Sequence, residues 1–149
     1  MYSPVSGLFL YTVKKKFTLK KTERLKSRKS IELIFNAKKN FFVHPFKVHY
    51  TLTPQHDRSE PPLLAGVTVS TRNFKKAVDR NRIKRLTREA YRLQKNTLQL
   101  RLTQEKKCMK VFFVFVAKEI PLFAAVHEKL GLILERLIQK ANEENIANT

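Results

Sequence analysis

Cysteine is nearly absent from this chain, with Cys108 alone among 149 residues. A single thiol excludes an internal disulfide framework and any zinc site built from several cysteines. The histidines also lack the spacing of metal ligands; they are His44, His49, His56 and His127. We therefore expect the chain to bind no metal by itself and to work in a reducing compartment, the cytoplasm.

Glycine and acidic residues are scarce as well. The three glycines, Gly7, Gly66 and Gly131, stand in unrelated contexts, so no glycine-rich phosphate-binding loop can form. The 12 Asp and Glu residues are scattered, which argues against the two-carboxylate metal site of a nuclease. The sequence thus shows no catalytic constellation, and we expect its side chains to serve binding.

Long apolar runs are missing too. Residues 1–13 are mildly apolar, but this segment is far too short to span a membrane. Its lysines follow the apolar residues, whereas a secretory signal has its charges in front. We expect residues 1–16 to be a flexible extension, residues 17–142 a single domain and residues 143–149 a polar tail.

Positive charge is what the sequence has in excess. Lys and Arg total 31 against 12 acidic residues, a formal net charge of +19 with a pI near 10.4. Such a chain repels itself and attracts polyanions. Since 42% of the residues are hydrophobic and 11 are Phe, we expect a folded domain with a core rather than a disordered polycation.

The charge is most concentrated between residues 73 and 96. Apolar Ile83, Leu86, Ala90 and Leu93 recur at spacings of three, four and three, which predicts an amphipathic helix with that stripe buried. The opposite face then carries Lys84, Arg85, Arg88, Arg92 and Lys95. Because like charges on one helix face repel one another, a polyanion is expected to cover this face, and a phosphate backbone is the commonest one.

The remaining pattern predicts one α+β domain. A capping serine, Ser27 or Ser30, starts a short helix. Alternating, β-branched and aromatic residues predict strands at residues 41–44, 46–52, 63–70 and 109–117. A polar loop with three prolines occupies residues 53–62, and a last helix runs from residue 121 to about residue 141.

Residues 76–92 read Lys-Ala-Val-Asp-Arg-Asn-Arg-Ile-Lys-Arg-Leu-Thr-Arg-Glu-Ala-Tyr-Arg. This segment resembles the Arg-Asn-Arg signature of the protein subunit of bacterial ribonuclease P, the ribonucleoprotein that matures the 5′ end of transfer RNA. Residues 66–70 resemble the strand before that signature, and residues 23–27, leading to Phe35, resemble the family's first helix. The resemblance covers roughly residues 17–141.

The resemblance implies a fold and a division of labour. The fold would be a single-domain α/β sandwich like the second domain of a small-subunit ribosomal protein. A left-handed crossover would lead from the strand at residues 63–70 through the signature helix to the strand at residues 109–117, although such crossovers are usually right-handed. Endonucleolytic removal of the 5′ leader would be catalysed by the RNA subunit, with Mg²⁺ held mainly by RNA and no cofactor bound by the protein alone. The partners would be the catalytic RNA and precursor transfer RNA, and neither DNA nor a membrane.

The resemblance also implies two sets of site residues. The signature region would contact the catalytic RNA through Lys75, Lys76, Arg80, Asn81, Arg82, Lys84, Arg85, Arg88 and Arg92. A cleft between the first helix and the sheet would hold the single-stranded leader through Ile31, Phe35, Tyr50, Ser70 and Arg72. We expect Phe35, on the inner face of the first helix, and Tyr50, on the apolar face of the strand, to lie on opposite walls of this cleft. Aromatic faces over a basic groove hold single strands without reading their sequence.

Three alternatives remain open at this point. Phe35 and Tyr50 can also be explained as ordinary core residues. A ribosomal or other general RNA-binding protein could carry the same basic helix, and it would not process transfer RNA when mixed with the catalytic RNA. A protein-only nuclease would need clustered acidic residues, and it would be active without any added RNA.

Overall fold

A four-stranded mixed sheet is the centre of the computed structural model, which describes residues 19–55 and 59–147. In chain order the strands are β1 (Asn40–Val43), β2 (Phe46–Pro54), β3 (Leu63–Val69) and β4 (Lys107–Phe115). Their spatial order is β1-β2-β4-β3, with β4 antiparallel to β2 and parallel to β3. The predicted strands are confirmed, including the short leading strand β1, which pairs antiparallel with β2.

Four α-helices and one 3₁₀ turn surround the sheet within the described residues. They are the 3₁₀ turn (Lys21–Glu23), α1 (Arg28–Asn36), α2 (Ala77–Gln94), α3 (Asn96–Gln104) and α4 (Phe123–Ala147). Ser27 caps α1, because its Oγ accepts a hydrogen bond from the Ser30 N–H at 3.4 Å. Together these elements make the α+β fold that the sequence predicts.

The carboxyl end of the chain differs from the prediction. The last helix is expected to end near residue 141, but α4 continues to Ala147. No proline or glycine follows Ala141 to stop the helix, and Lys140 pairs with Glu143 on the next turn at 3.6 Å. Most of the predicted polar tail, residues 143–149, is therefore helical. The predicted extension, residues 1–16, lies outside the described residues.

One face of the sheet, called the closed face below, carries the main hydrophobic core. Alternate residues of β2 point to this face, among them Phe46, Val48 and Tyr50, and all three are buried. The helices α2, α3 and α4 cover it with Ile83, Ala90, Leu98, Leu102, Val126, Leu130, Ile133, Leu134, Leu137 and Ala141. This side of the sheet is thereby sealed from solvent.

The opposite face, called the open face below, is only partly covered. There α1 and the segment before it bury a small cluster of Leu25, Ile34 and Phe112. Beyond this cluster, Phe42 of β1 and Lys47 of β2 are exposed. The open face therefore leaves part of the sheet accessible beside α1.

The buried stripe of α2 is rotated from the predicted one. The prediction places Leu86 and Leu93 in it, but both are only half-buried. The fully buried residues of the helix are Ile83, Thr87, Ala90 and Tyr91. Thr87 fits there because its hydroxyl donates a hydrogen bond to the Ile83 carbonyl at 2.8 Å.

Lys95 is also misplaced by the prediction, which puts it on the basic face of the helix. Its side chain is 2% exposed, and its Nζ forms an ion pair with Glu23 Oε2 of the 3₁₀ turn. Glu23 also accepts hydrogen bonds from Gln99 Nε2 at 3.2 Å and from the Lys20 N–H at 3.3 Å. A buried lysine without such partners would be costly, so the pair ties the segment before α1 to the junction of α2 and α3.

Candidate nucleic-acid interface

The outward side of α2 forms a basic arc, which we define as Asn81, Arg82, Arg85, Arg88 and Arg92. Four of these residues are exposed and Arg92 is half-buried. At about 100° per residue they fall within roughly 120° of the helix circumference. The structure thus gathers most of the residues predicted to contact RNA into one continuous surface.

The other predicted RNA contacts lie around this arc rather than in it. Lys84 is half-buried at its edge, and Lys75 and Lys76 are exposed just before the helix begins. Arg80 turns back on its own chain, where its Nη1 donates to the carbonyls of Phe74 and Lys75, both at 2.8 Å. Arg80 therefore braces the turn that presents the two lysines.

Arg92 is partly neutralised within the arc. Its guanidinium pairs with the Glu89 carboxylate one turn earlier, with Nε to Oε2 at 3.1 Å. This hydrogen bond lowers the pKa of Glu89 and raises the pKa of Arg92. Arg92 therefore offers a phosphate less net attraction than Arg85 or Arg88 does.

Arg24 joins the basic arc from the segment before α1. It lines a surface groove of about 470 Å³ together with Leu19, Asn81, Arg85, Arg88, Glu89 and Arg92. Burial, and then the charge of Arg24, lower the pKa of Arg88. Two like charges facing one groove repel each other until an anion lies between them. The resemblance covered Arg24 only as part of residues 23–27, so nothing in the sequence marked it as a neighbour of Arg88.

Backbone contacts hold Arg24 in this position. The Leu25 N–H donates to the Ala65 carbonyl of β3 at 2.9 Å, and Arg24 forms an isolated parallel bridge with Ala65. Gly66 allows this close approach, because a Cβ there would lie 2.9 Å from the Phe112 ring and 3.1 Å from the Leu25 carbonyl oxygen. The segment before α1 is thus fixed to the edge of the sheet.

The second candidate surface is a cleft on the open face, beside α1. Phe35 projects from α1 with 40% of its surface exposed. Its ring centroid lies 4.4 Å from that of His49 and 5.5 Å from that of Phe112. An exposed aromatic face above a partly open sheet is suited to stacking an unpaired base.

Tyr50 does not belong to this cleft, and the expectation that it faces Phe35 is wrong. Its side chain is 6% exposed on the closed face, with its ring centroid 6.1 Å from that of Phe41. Burial, and then the nearby Glu144 and Glu143 of α4, raise the pKa of Tyr50. Successive strand residues point to opposite faces, so the apolar face of β2 turns toward the core and away from α1.

The neighbour of Phe35 on β2 is instead His49, which alternates with the apolar Val48 and Tyr50 along the strand. Its ring is 7% exposed, and its buried Nδ1 has no hydrogen-bond partner in the described part of the chain. Burial, and then the charge of Lys47, lower the pKa of His49. The imidazole is therefore favoured in its neutral form.

The remaining predicted cleft residues are Ile31 on α1 and, after β3, Ser70 and Arg72. Ile31 is half-buried and packs against the cluster beneath α1. Ser70 follows β3 directly, and its carbonyl accepts the Phe74 N–H at 3.1 Å. Arg72 is exposed in the turn between β3 and α2. The structure therefore places Ser70 and Arg72 at the end of the sheet near Lys75 and Lys76.

Neither surface contains a metal-binding constellation. Within residues 19–55 and 59–147, no group of three or more His, Cys, Asp or Glu side chains lies close enough to hold a metal ion. Four of the acidic residues are paired with cations, Glu23 with Lys95, Glu89 with Arg92, Glu143 with Lys140 and Glu144 with Lys39. The same residues include no helix that is long and apolar enough to cross a membrane.

The fold and its two surfaces define a basic α+β protein suited to binding a phosphate backbone and unpaired bases. Comparison of the sequence with known families agrees with this class. A sequence model described as Ribonuclease P matches residues 19–142. The chain therefore belongs to the ribonuclease P protein family, whose members are subunits of a ribonucleoprotein endoribonuclease of tRNA processing.

Curated relatives and solved structures support the same assignment. The chain is 38% identical over 121 residues to the ribonuclease P protein component of Porphyromonas gingivalis, covering 81% of this chain and 87% of that one. It is 35% identical over 133 residues to the same component of Syntrophus aciditrophicus, with 87% and 99% covered. The structure of the ribonuclease P protein from Thermotoga maritima matches with a TM-score of 0.58 at 28% identity, over 76% of this chain and 96% of that one.

Proposed function

We propose that this protein grips the catalytic RNA of ribonuclease P with the basic arc and holds the 5′ leader of precursor tRNA in the cleft beside α1. The observation that carries this proposal is the separation of two unlike surfaces. The arc offers cations and no exposed aromatic ring, whereas the cleft offers the exposed ring of Phe35. Phosphate contacts suit a structured RNA, and stacking suits a single strand.

The contact with the catalytic RNA is assigned to Arg82, Arg85 and Arg88 of the arc, with Asn81 and Arg92 as flanking contacts. Arg24 adds a cation to the same groove, and neither it nor Arg88 has an ion-pair partner in the described residues. Lys75 and Lys76 extend the surface toward the end of the sheet, and Lys84 contributes at its edge. Arg80 acts by holding the turn that carries the two lysines.

The leader cleft is assigned to Phe35, Ile31 and His49, with Ser70 and Arg72 at one end. Phe35 supplies the stacking surface, and His49 and Ile31 support it from beneath. Ile31 can pack against a base but has no aromatic face to stack on it. Arg72 lies exposed where the leader's phosphates would pass toward the catalytic RNA.

The chemistry of cleavage is assigned to the RNA subunit, with Mg²⁺ bound mainly by RNA. The paired acids Glu23, Glu89 and Glu144 fit this assignment, because a carboxylate held by a lysine or arginine is a poor ligand for a further cation. The protein would then act by positioning the precursor, in the cytoplasm. Its site binds neither DNA nor a membrane in this proposal.

One further point of the fold is part of the proposal. The parallel strands β3 and β4 are joined through α2 and α3, and the family resemblance implies that this crossover is left-handed. An experimental structure at side-chain resolution would test it, and a right-handed connection would contradict it.

The test of the proposed function is cleavage of precursor tRNA at low Mg²⁺, with and without the catalytic RNA. We expect the protein alone to be inactive and the assembled holoenzyme to bind precursor tRNA more tightly than mature tRNA. Activity of the protein alone would indicate a protein nuclease. Equal affinity for the two tRNAs would contradict the leader cleft.

A further inference from the structure

Phe42 is a large aromatic side chain on the edge strand β1, and 54% of its surface is exposed. Its neighbour Phe41 points to the closed face, where its ring lies 6.1 Å from Tyr50 and beneath the guanidinium of Arg136 at 5.4 Å. Since successive strand residues alternate, Phe42 points to the open face. It is therefore on the same side of the sheet as Phe35.

The strand register places Phe42 in line with the floor of the cleft. Phe42 pairs with Lys47, Lys47 with Val114, and Val114 with Thr68, so these residues form one row across all four strands. Each of the four is exposed or half-buried. With neighbouring strands about 4.8 Å apart, the row is roughly 14 Å long.

The next row explains why this one is open. It consists of Asn40, His49, Phe112 and Gly66, and Phe35 of α1 contacts its two rings. Two residues along a strand span about 7 Å, so the row of Phe42 runs alongside α1. Val114 in this row packs against the cluster beneath α1, while Phe42 and Lys47 are exposed. Phe42 stands at the β1 end of the row, and Ser70 and Arg72 follow the β3 end.

We propose that Phe42 is a second base-stacking platform, which takes a leader nucleotide farther from the catalytic RNA than the nucleotide at Phe35. This inference rests on the proposed leader cleft. The β3 end of the row is followed by Ser70 and Arg72, and then by Lys75 and Lys76, which precede the helix of the basic arc. A strand entering from the arc therefore reaches Phe42 last. Its ring stands beside the directly opposed Lys47 and lies 6.1 Å from the His44 ring, and an open ring with a neighbouring cation is a platform for any base.

The inference is tested in the assembled holoenzyme with precursor tRNAs whose leader is lengthened one nucleotide at a time. Phe42→Leu keeps the apolar contact and removes the aromatic face. We expect it to match the wild type with short leaders and to bind about 5- to 150-fold more weakly once the leader reaches β1, which is the range for stacking of one base. Phe42→Trp should restore the affinity. The matched control is Leu100→Ala, a comparably exposed apolar residue on α3.

A second measurement locates the contact. With 2-aminopurine placed at successive leader positions, stacking on a ring quenches the fluorescence, and Phe42→Leu should relieve quenching at one distal position only. Thermal melts confirm that the variants are folded. If Phe42→Leu does not fold, Phe42→Gln, which also lacks the ring and suits this exposed position, takes its place.

Three outcomes would overturn the inference. One is an unchanged length dependence in Phe42→Leu while the wild type still prefers precursor over mature tRNA, which would leave the leader cleft itself standing. A loss that is equal at every leader length would indicate a structural effect. A Phe42→Leu variant that abolishes self-association of the free protein without changing leader affinity would assign the ring to contact with a second copy. Absence of any leader preference in the wild type would instead defeat the proposed function.

Discussion

The two faces of the sheet are built from the same strands but differ in how far helices cover them. On β2, Val48 and Tyr50 point into a core that three helices cover. Lys47 and His49, which alternate with them, point to the face that α1 covers only in part. Side-chain direction alone separates these neighbours. An aromatic residue on β2 can therefore reach the cleft only if its position in the alternation points its side chain to the open face.

The largest loss of stability is expected from breaking the buried ion pair between Glu23 and Lys95. The Glu23–Lys95 pair joins the segment leading to α1, on the open face, to the end of α2, on the closed face. Lys95→Ala leaves a buried carboxylate without its cation, and we expect a loss of about 3–5 kcal/mol in the free energy of unfolding. Urea denaturation measures it.

The matched control for this prediction is Lys140→Ala. Lys140 pairs with Glu143 at 3.6 Å on the exposed side of α4, and such surface pairs contribute under about 1 kcal/mol. Similar losses in the two variants would show that the segment before α1 is not anchored by the buried pair.

The next prediction compares one aromatic residue on each face, Tyr50 and Phe35, in stability and in leader affinity. Tyr50→Ala removes a buried ring and should cost about 2–5 kcal/mol of stability, whereas Phe35→Ala removes a ring that is 40% exposed and should cost less. Leader affinity should show the reverse order, with Phe35→Ala losing about 1–3 kcal/mol of binding free energy. Thermal melts and titration of the holoenzyme with precursor and mature tRNA measure both quantities.

Tyr50→Phe is the control that preserves the core. It removes only the hydroxyl and should leave leader binding as in the wild type. A leader-specific loss in Tyr50→Phe, with the stability unchanged, would contradict the assignment of Tyr50 to the core.

A local residue pattern encodes secondary structure and its faces, but not the tertiary neighbours of those faces. Period-two and helical periodicity predicted the strands and α1, because backbone geometry fixes which residues share a face. Which face of a strand meets which helix depends on the tertiary arrangement. Periodicity therefore placed Phe35 correctly on the side of α1 that faces the sheet. It could not show that the apolar face of β2 turns away from α1, so Tyr50 was assigned to the wrong side of the sheet.

The residues that the sequence missed all depend on distant partners. Arg24 lines the same groove as Arg88, and Lys95, which was expected to be exposed, is buried against Glu23, a residue 72 positions earlier. Phe42 and His49 become candidates only through the register of β1, β2 and β4. No spacing rule links such positions, whereas helical periodicity predicted Arg85, Arg88 and Arg92 of the basic arc because they lie on one helix. The other two members of the arc, Asn81 and Arg82, were expected only from the family resemblance.

A smaller effect is expected from removing single cations of the basic arc. If Arg88 and Arg24 each neutralise one phosphate, replacing either by Ala should reduce the slope of log affinity against log salt by about 0.9. The fold should survive, since both side chains are exposed. Filter binding to the catalytic RNA over a salt series measures the slope.

Arg101→Ala provides the control, because Arg101 is an exposed cation on α3 outside the groove. Its slope should equal that of the wild type. Equal slopes for all three variants and the wild type would contradict the proposed RNA-binding groove, and a reduced slope for Arg101→Ala would extend the RNA contact to α3.

The smallest expected effect is a pH dependence that arises on the open face. His49 has a lowered pKa in the folded protein, so between that value and the unfolded value of about 6.5 the unfolded chain binds more protons. The stability that the neutral ring contributes is complete above about pH 6.5 and is lost as the pH falls through the folded pKa. Urea midpoints between about pH 5 and pH 8 should therefore decline on the acid side, and His49→Gln should flatten that decline.

Lys47→Gln should reduce the acid decline only in part, because burial is the larger cause of the lowered pKa of His49 and the charge of Lys47 the smaller. An identical acid decline in His49→Gln and the wild type would show that this histidine is not held neutral beneath Phe35.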